Sequence, residues 1–544
     1  MRGLFIVLAI LGVATGALAQ VHPVNPTDAI YRDLDRWEVL GYLPPGYVLR
    51  PYSPEVLREA LRLVLLRAEG DDRQAAERYL QQLGRPRFSP RVFSHSALRL
   101  SSADGTACCE GGAGAGLWVL NNFVDTLWLS GNAGMQFARS PGSVLPVGEN
   151  FREDIITTGY NGDATTFFNG LTSALSYGGP NLWTSFSYAR SSAGPFFSNG
   201  VVLGPQAMAA PNWSLHGSFG PFRISASLLQ LMPLEPNADG GYSSLQFNKY
   251  LAFHSYSFAL GERWDVGAYE TVVWAGDFKP LYLVPFSYMY FLQASAAFAD
   301  NSQGGLYARW RPLDGFAVKA VAFFDDVQAA DIVKLQFDTK IIGALQVGAA
   351  WAPLAGPLAL LEFDYTAVFP YMYTHWEDSF TPYGCDGTTC DTEWLQNNYT
   401  HAGHGLGAAL LPNSDRWEIR GRSNLGPDLD LRALARLIRH GNASTGVPGD
   451  KGGGYFDDGR VGSDWSYQEP YPSTTTPRYF RFLTQEVLDT AVQLGATLDY
   501  DRKLGFCTVT VKLHYLFEYR WNPELVVGQA WANNYFGSDV ALGF

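Results

Sequence analysis

The sixteen residues from Phe506 to Trp521 restrict the fold more than any other stretch of the chain. The odd positions hold Cys507, Val509, Val511, Leu513, Tyr515, Phe517, Tyr519 and Trp521. The even positions hold Phe506, Thr508, Thr510, Lys512, His514, Leu516, Glu518 and Arg520. Alternation with period two puts these sets on opposite faces of one extended strand. An ordinary strand has about 5–6 residues, whereas one that crosses a bilayer at a tilt needs about 9–11. A longer strand, apolar on one face and polar on the other, suits a wall with lipid outside and a hydrophilic lumen inside. The pattern recurs. Val492, Leu494, Ala496 and Leu498 alternate with Gln493, Gly495, Thr497 and Asp499, and Leu361, Phe363, Tyr365 and Ala367 alternate with Glu362, Asp364 and Thr366. Arg432, Arg436, Lys512 and Arg520 share the lumen-facing parity with Glu362, Asp364, Asp499 and Glu518. Ion pairing inside a barrel is therefore expected. The expected fold is an all-β transmembrane barrel of antiparallel strands behind a small N-terminal α-helical bundle.

Composition agrees with that frame. Aromatic residues make up 14% of the chain, which suits girdles at two membrane interfaces. Charged residues make up 17%, below the roughly 25% of soluble domains. A net charge of −13 disfavours a nucleic-acid partner. Residues 1–19 read as a signal peptide: Arg2 is the positive end, Leu4 to Val13 the apolar run, and Ala17 and Ala19 the small-residue cleavage site. No other apolar run reaches 18 residues, so no membrane helix is expected. Export without such a helix, together with the strand pattern, points to the bacterial outer membrane, with outer-membrane lipid around the wall.

Residues 20–85 have helical rather than strand periodicity. Ile30, Leu34, Trp37 and Leu40 form one stripe ended by Gly41. Ser53 is the expected N-cap of a second helix, with Pro54 at its first position. Asp71 or Asp72 starts a third. A bundle placed before the strands is periplasmic and serves as a plug or docking module, or as a solvated cap. Residues 86–544 form the barrel, with room for on the order of 16–20 strands. Gly/Asn/Asp/Ser clusters such as 111–116, 178–181 and 300–305 read as turns. Two long connections, 370–412 and 441–477, are expected on the extracellular side. The chain ends FGSDVALGF; this terminal Phe with alternating apolar residues resembles the signature that barrels present to the barrel-assembly machinery.

The middle of the chain carries a family resemblance. The segments Lys249-Tyr250-Leu251-Ala252-Phe253-His254, Gly267-Ala268-Tyr269-Glu270-Thr271-Val272-Val273-Trp274, Tyr282-Leu283-Val284-Pro285, Asp300-Asn301 and Asp325-Asp326-Val327-Gln328 are similar to segments of capsule assembly proteins of the Wzi family. The helical front LRPYSPEVLREAL is likewise typical of that family. The resemblance implies about 18 strands, a periplasmic helical bundle, and a lectin-like role in holding capsular polysaccharide at the cell surface. A porin or substrate-specific channel is the alternative.

The sequence holds no G-x-S-x-G, no H-E-x-x-H and no P-loop. No enzyme, cofactor or metal is expected. His401 and His404 fall on opposite strand faces, and the acidic pairs Asp325-Asp326 and Asp457-Asp458 read as solvated turns. Candidate ligand-binding residues are the loop aromatics Trp376, Tyr383 and Trp394 in one long connection and Tyr455, Trp465 and Tyr467 in the other, each set among carboxylates. Such rings stack on sugar faces while carboxylates accept hydroxyl hydrogen bonds. Cys385 and Cys390, close together in the first loop, are expected to form a local disulfide. Cys108 and Cys109 either bond elsewhere or remain thiols, and Cys507 falls on the lipid face.

Overall fold

The computed structural model describes residues 25–84, 87–103, 105, 107–124, 126–139, 158–162, 165–197, 199–236, 242–244, 248–285, 287–292, 300–327, 341–374, 397–402, 404–426, 428–441, 482–504 and 507–544. Among them, eighteen strands form a closed antiparallel barrel. In chain order these are β1 (Arg87–Ser101), β2 (Ala107–Val124), β3 (Leu127–Arg139), β4 (Thr165–Gly179), β5 (Leu182–Ala189), β6 (Ala210–Phe219), β7 (Phe222–Leu231), β8 (Lys249–Leu260) and β9 (Trp264–Ala275). They continue as β10 (Asn301–Leu313), β11 (Phe316–Val327), β12 (Ile341–Trp351), β13 (Leu358–Val368), β14 (Ser414–Gly426), β15 (Leu429–His440), β16 (Asp489–Leu504), β17 (Cys507–Trp521) and β18 (Ala530–Gly543). The ring closes where β1 pairs with β18, from Arg91 opposite Gly543 to Ser101 opposite Asn533. Closure leaves no unpaired edge, which a bilayer demands of any sheet that crosses it.

Parity decides which side of the wall each residue takes. On β17, Leu513, Tyr515 and Trp521 are 47, 39 and 42% exposed, while His514, Leu516 and Glu518 between them are buried. Aromatics collect at both ends of the outer face, as interfacial girdles require. Trp264 and Trp310 stack 4.9 Å apart at one end, and Tyr365 and Trp417 lie 4.4 Å apart at the other. Connections at the first end are short. Pro180 and Asn181 join β4 to β5, and Asp314 and Gly315 join β10 to β11. Gly315 has φ +87°, a conformation L-residues rarely adopt. The longest connections leave the opposite end, so the short-turn rim is periplasmic and the long-loop rim extracellular. The protein is an outer-membrane barrel.

Three helices precede the wall. α1 (Ala29–Leu40) is capped by Asp28, whose side chain accepts from the Ile30 N–H, and ends at Gly41 with φ +84°. A Cβ there would lie 2.8 Å from an Asp314 carboxylate oxygen, so glycine is fixed by backbone and space together. α2 (Pro54–Arg67) has Ser53 as its N-cap, accepting from the Val56 N–H. α3 (Gly70–Leu83) has no side-chain cap. Asp72 does not start it as expected: its carboxylate turns to α1, where it accepts from the Trp37 indole at 2.9 Å and pairs with Arg36.

Some turn readings are corrected by the structure. Gly111 to Gly116 lie inside β2, not in a turn. Gly112, Gly114 and Gly116 stand opposite His95, Phe93 and Arg91 on the lumen face. Small residues there leave room for the large ones, and the Arg91 guanidinium lies 4.8 Å from the Trp118 ring. Asp325 and Asp326 belong to β11, where a register shift follows Phe324; Asp325 accepts from the Gln303 amide at 3.0 Å. The cluster at 300–305 likewise enters β10.

Candidate functional site

An eighteen-stranded wall is too wide to fill with its own side chains. At about 4.8 Å between strands and about 40° of tilt, opposite Cα atoms stand about 36 Å apart. The content of that lumen decides what the barrel can do.

From the periplasmic side it holds the helical unit, and the contacts are polar. Asp33 on α1 accepts from Arg422 of β14 and from the Tyr79 hydroxyl of α3, each at 2.6 Å. Burial alone would push its carboxyl up; the Arg422 charge and the Tyr79 hydrogen bond outweigh burial and hold it below the ordinary carboxylate value. Glu38 pairs with Arg309 of β10 at 3.1 Å. Arg309 also bonds Asp265 of β9 at 2.5 Å and the Gly46 carbonyl at 2.8 Å. The Trp128 indole of β3 donates to Glu55 at 3.0 Å, and Tyr47 donates to the Pro180 carbonyl at 2.9 Å. Burial pushes the Tyr47 phenol up to about 12, so it stays a donor. Apolar packing adds to this: Leu57, Leu61 and Val64 share one core with Leu120, Trp128, Ala317 and Leu360 of the wall.

From the extracellular side, the connection between β5 and β6 turns inward. Phe196, Val201, Val202 and Leu203 pack against Leu229, Phe253, Val273, Val321, Phe323 and Ile342 of the wall. The roots of the first long loop lie over them. Tyr373 and Tyr399 stack with centroids 5.6 Å apart, and their hydroxyls donate to the Val201 and Val202 carbonyls at 2.6 and 2.7 Å. The Asn199 amide donates to Asp364 at 2.9 Å and to Glu418 at 3.1 Å.

The two fillings meet inside the barrel. Leu49–Arg50, between α1 and α2, pairs antiparallel with Ser192–Ala193 from the inward connection, and the Gly194 N–H donates to the Val48 carbonyl at 2.8 Å. The Arg50 guanidinium sits 3.6 Å over the Phe197 ring. The helical unit is therefore a plug rather than a solvated cap.

The expected ion pairing is seen at Arg432, Arg436, Arg520, Glu362, Asp364 and Asp499. Arg432 meets Asp499 at 2.8 Å, Arg436 meets Glu418, and Arg420 meets Asp364 at 3.2 Å and Glu362 at 3.5 Å. Arg520 pairs with Asp489 at 2.6 Å rather than with Glu518, which instead accepts from Gln493. The β5–β6 connection was not singled out in the sequence. Its signal is the apolar groups Phe196-Phe197 and Val201-Val202-Leu203, without period two, in a connection long enough to be solvated. Asp33, Glu38 and Arg422 were also missed, because each reads as an ordinary polar position on its own element.

His401 and His404 pair across a two-residue ladder. His401 is structural: its Nδ1 accepts from the Met232 N–H at 2.8 Å, and its Nε2 donates to the Ala209 carbonyl. Among the described residues no group of three or more His, Cys, Asp or Glu could hold a metal. Cys109 and Cys507 are free thiols. The six candidate loop aromatics, Trp376, Tyr383, Trp394, Tyr455, Trp465 and Tyr467, and the cysteines Cys385 and Cys390 lie outside the described residues, as do Asp457-Asp458 and residues 1–19.

The segments that carry the family resemblance divide between the two faces of the wall. Leu251 and Phe253 face inward, so Tyr250, Ala252 and His254 face outward, opposite Trp274, Val272 and Glu270. The connection after β9 folds over this outer patch and buries Ala252, Val272 and Trp274 beneath Tyr282 and Met289. Glu270 accepts from the Met289 N–H at 2.8 Å, with His254 3.2 Å away. The connection thereby covers a carboxylate that lipid would not tolerate bare. Phe278, Val284, Tyr288 and Phe291 of the covering segment are exposed.

Comparison with solved structures places the fold. The chain is similar to Wzi of Escherichia coli, described as an outer membrane protein involved in group 1 capsule assembly and a carbohydrate binding β-barrel, at TM-score 0.55 and 14% identity, covering 96% of this chain and 98% of that one. It is also similar, at TM-score 0.44 and 8% identity over 84% of this chain and 98% of that one, to OccAB2 of Acinetobacter baumannii. OpdL of Pseudomonas aeruginosa follows at TM-score 0.42 and 11% identity, over 85% and 99%. No protein-family model and no curated protein matches the sequence.

Proposed function

We propose that this barrel binds polysaccharide at the bacterial cell surface and passes no solute. The observation that carries this reading is the lumen: a helical plug from below and an inward loop from above meet in one strand pair. Among the described residues, Arg309, Arg422, Arg432 and Arg520 of the wall are paired to the plug or to wall carboxylates, so these charges are not free to select a permeant. Work then falls to the extracellular rim. There the aromatics Trp376, Tyr383, Trp394, Tyr455, Trp465 and Tyr467 supply stacking faces, and a Cys385–Cys390 disulfide shortens the first loop. The barrel is a binding protein rather than an enzyme. The fold it shares with a carbohydrate binding barrel and the sequence resemblance to the Wzi family both support this reading. Residues 1–19 direct export, and the terminal Phe544 serves insertion by the assembly machinery.

The test is glycan-array binding by the detergent-purified barrel, with and without residues 375–396 replaced by a short Gly/Ser linker. That replacement spares Tyr373 and Tyr399, which hold the inner filling. The expected result is binding to a surface polysaccharide that the replacement weakens strongly. Absence of glycan binding together with a steady single-channel current would favour a substrate-specific channel instead.

A further inference from the structure

A cavity of about 280 Å³ lies in the lumen between α1, the Phe196–Phe197 stretch and the wall at β11 and β13 to β17. It is larger than one water site by about ninefold. Seven lysine and arginine side chains line it against two carboxylates, Asp35 and Glu362. The imbalance comes from geometry. Arg422 and Arg432 line the cavity, while the acids they bond, Asp33, Asp430 and Asp499, do not. Arg436 lines it too, and its partner Glu418 does not. Each guanidinium carries five donors and its carboxylate partner takes one or two, so the cavity is faced by donors while most of their counter-charges lie outside its lining.

One further observation points to a ligand. Lys319 of β11 lines the cavity, and among the described residues no carboxylate lies within ion-pair distance of it.

We infer that this cavity is a binding site for a small oxyanion: a phosphate, a sulfate, or the carboxylate of an acidic sugar. The low-dielectric protein walls of the cavity focus the positive potential. Bidentate guanidinium contacts suit carboxylate and phosphate oxygens. The site stands on the cavity alone and does not depend on glycan binding at the extracellular rim.

The experiment titrates the full-length, detergent-purified protein with inorganic phosphate, sulfate, D-glucuronate and, as the neutral control, D-glucose, at fixed ionic strength. Binding is followed by calorimetry and thermal shift. Anions are expected to bind and to raise the melting temperature, and glucose is not. Lys319→Gln is the informative variant, because no carboxylate is left unpaired when its charge goes. It is expected to weaken anion binding about tenfold while the ligand-free melting temperature stays unchanged. Preference for glucuronate over phosphate assigns the site to an acidic sugar, and the reverse to a free oxyanion. No binding by any of the anions, equal binding of glucose, or anion affinity unchanged in Lys319→Gln overturns the proposal.

Discussion

The attachment of the plug to the wall can be tested at Asp33 and Arg422, the ion pair between α1 and β14. Asp33 is 8% exposed and takes two hydrogen bonds, from Arg422 and Tyr79. Arg422 holds a second acid, Asp430, at 2.9 Å. The pair is therefore asymmetric. Arg422→Met keeps the apolar bulk but leaves a buried carboxylate on the plug with a single phenol donor; breaking a buried pair this way costs about 3 kcal/mol. Asp33→Asn removes the buried charge itself and leaves Arg422 with Asp430, so the cost is about 1 kcal/mol, that of a weakened hydrogen bond. The double variant should fall well short of the sum, with a coupling of about 2 kcal/mol. The assay is native-state amide exchange in detergent near neutral pH, read at α1. Exchange there reports opening of the plug rather than of the wall. Arg422→Met should speed it about 150-fold and Asp33→Asn about fivefold, at about 1.4 kcal/mol per factor of ten. Exchange in Arg422→Met within twofold of the parent, or strictly additive single effects, would refute a plug latched by this pair.

Acid should loosen the same contact. The folded Asp33 carboxyl lies below its unfolded value, so its contribution is complete above about pH 4, falls below that, and is lost as pH drops through the folded value. Pepsin cleavage of the helical unit should rise across that range, and Asp33→Asn should flatten the rise. In planar bilayers the intact protein should show no steady current, whereas deletion of residues 25–84 should give intermittent or open-channel current; steady current from the intact chain would count against a stoppered lumen. Gly116→Val should destabilise the barrel by about 1–3 kcal/mol, because a Cβ at Gly116 would lie 2.7 Å from the Ala133 carbonyl oxygen and 3.3 Å from the Arg91 Nε; an unchanged melting temperature would show that the wall relaxes there. Glu270→Ala should free the segment over the outer patch, measured as faster proteolysis between Ala275 and Asn301, since it removes the acceptor of the Met289 N–H.

The wall was legible because lipid and lumen act on neighbouring residues in opposite senses. Leu513 and His514 are adjacent in sequence and face different solvents, so period two is written directly into the chain. The capped helices were legible for a similarly local reason: Ser53 with Pro54, and Gly41, act within one turn of themselves. The plug contacts were not. Asp33 on α1 and Arg422 on β14 each look like a residue facing water; only the fold turns that water into a protein partner. Glycine misled in the other direction. At Gly112 to Gly116 the residue type answers a need for space beside Arg91, Phe93 and His95, and local reading assigned it to chain reversal. The signature segments around Glu270 and Trp274 were recognisable as a pattern, but their placement on the outer wall under a covering segment could not follow from it.

A lumen about 36 Å across between opposite Cα atoms must hold water or protein, and the choice fixes what its charges are for. In a water-filled lumen, an arginine and a carboxylate on the wall remain available to passing solutes. Here they are used up: Arg309 by Asp265 and Glu38, Arg422 by Asp33 and Asp430, Arg520 by Asp489. The same bonds that seat the plug remove the means of selecting a permeant, so one lumen cannot serve both purposes at those positions. The cavity between α1 and the wall at β11 and β13 to β17 differs, because among the described residues Lys319 has no carboxylate within ion-pair distance. A plug that had merely to fill space would not need to leave a lysine without a carboxylate beside its own seat. The placement of Lys319 there argues that the cavity has an occupant of opposite charge.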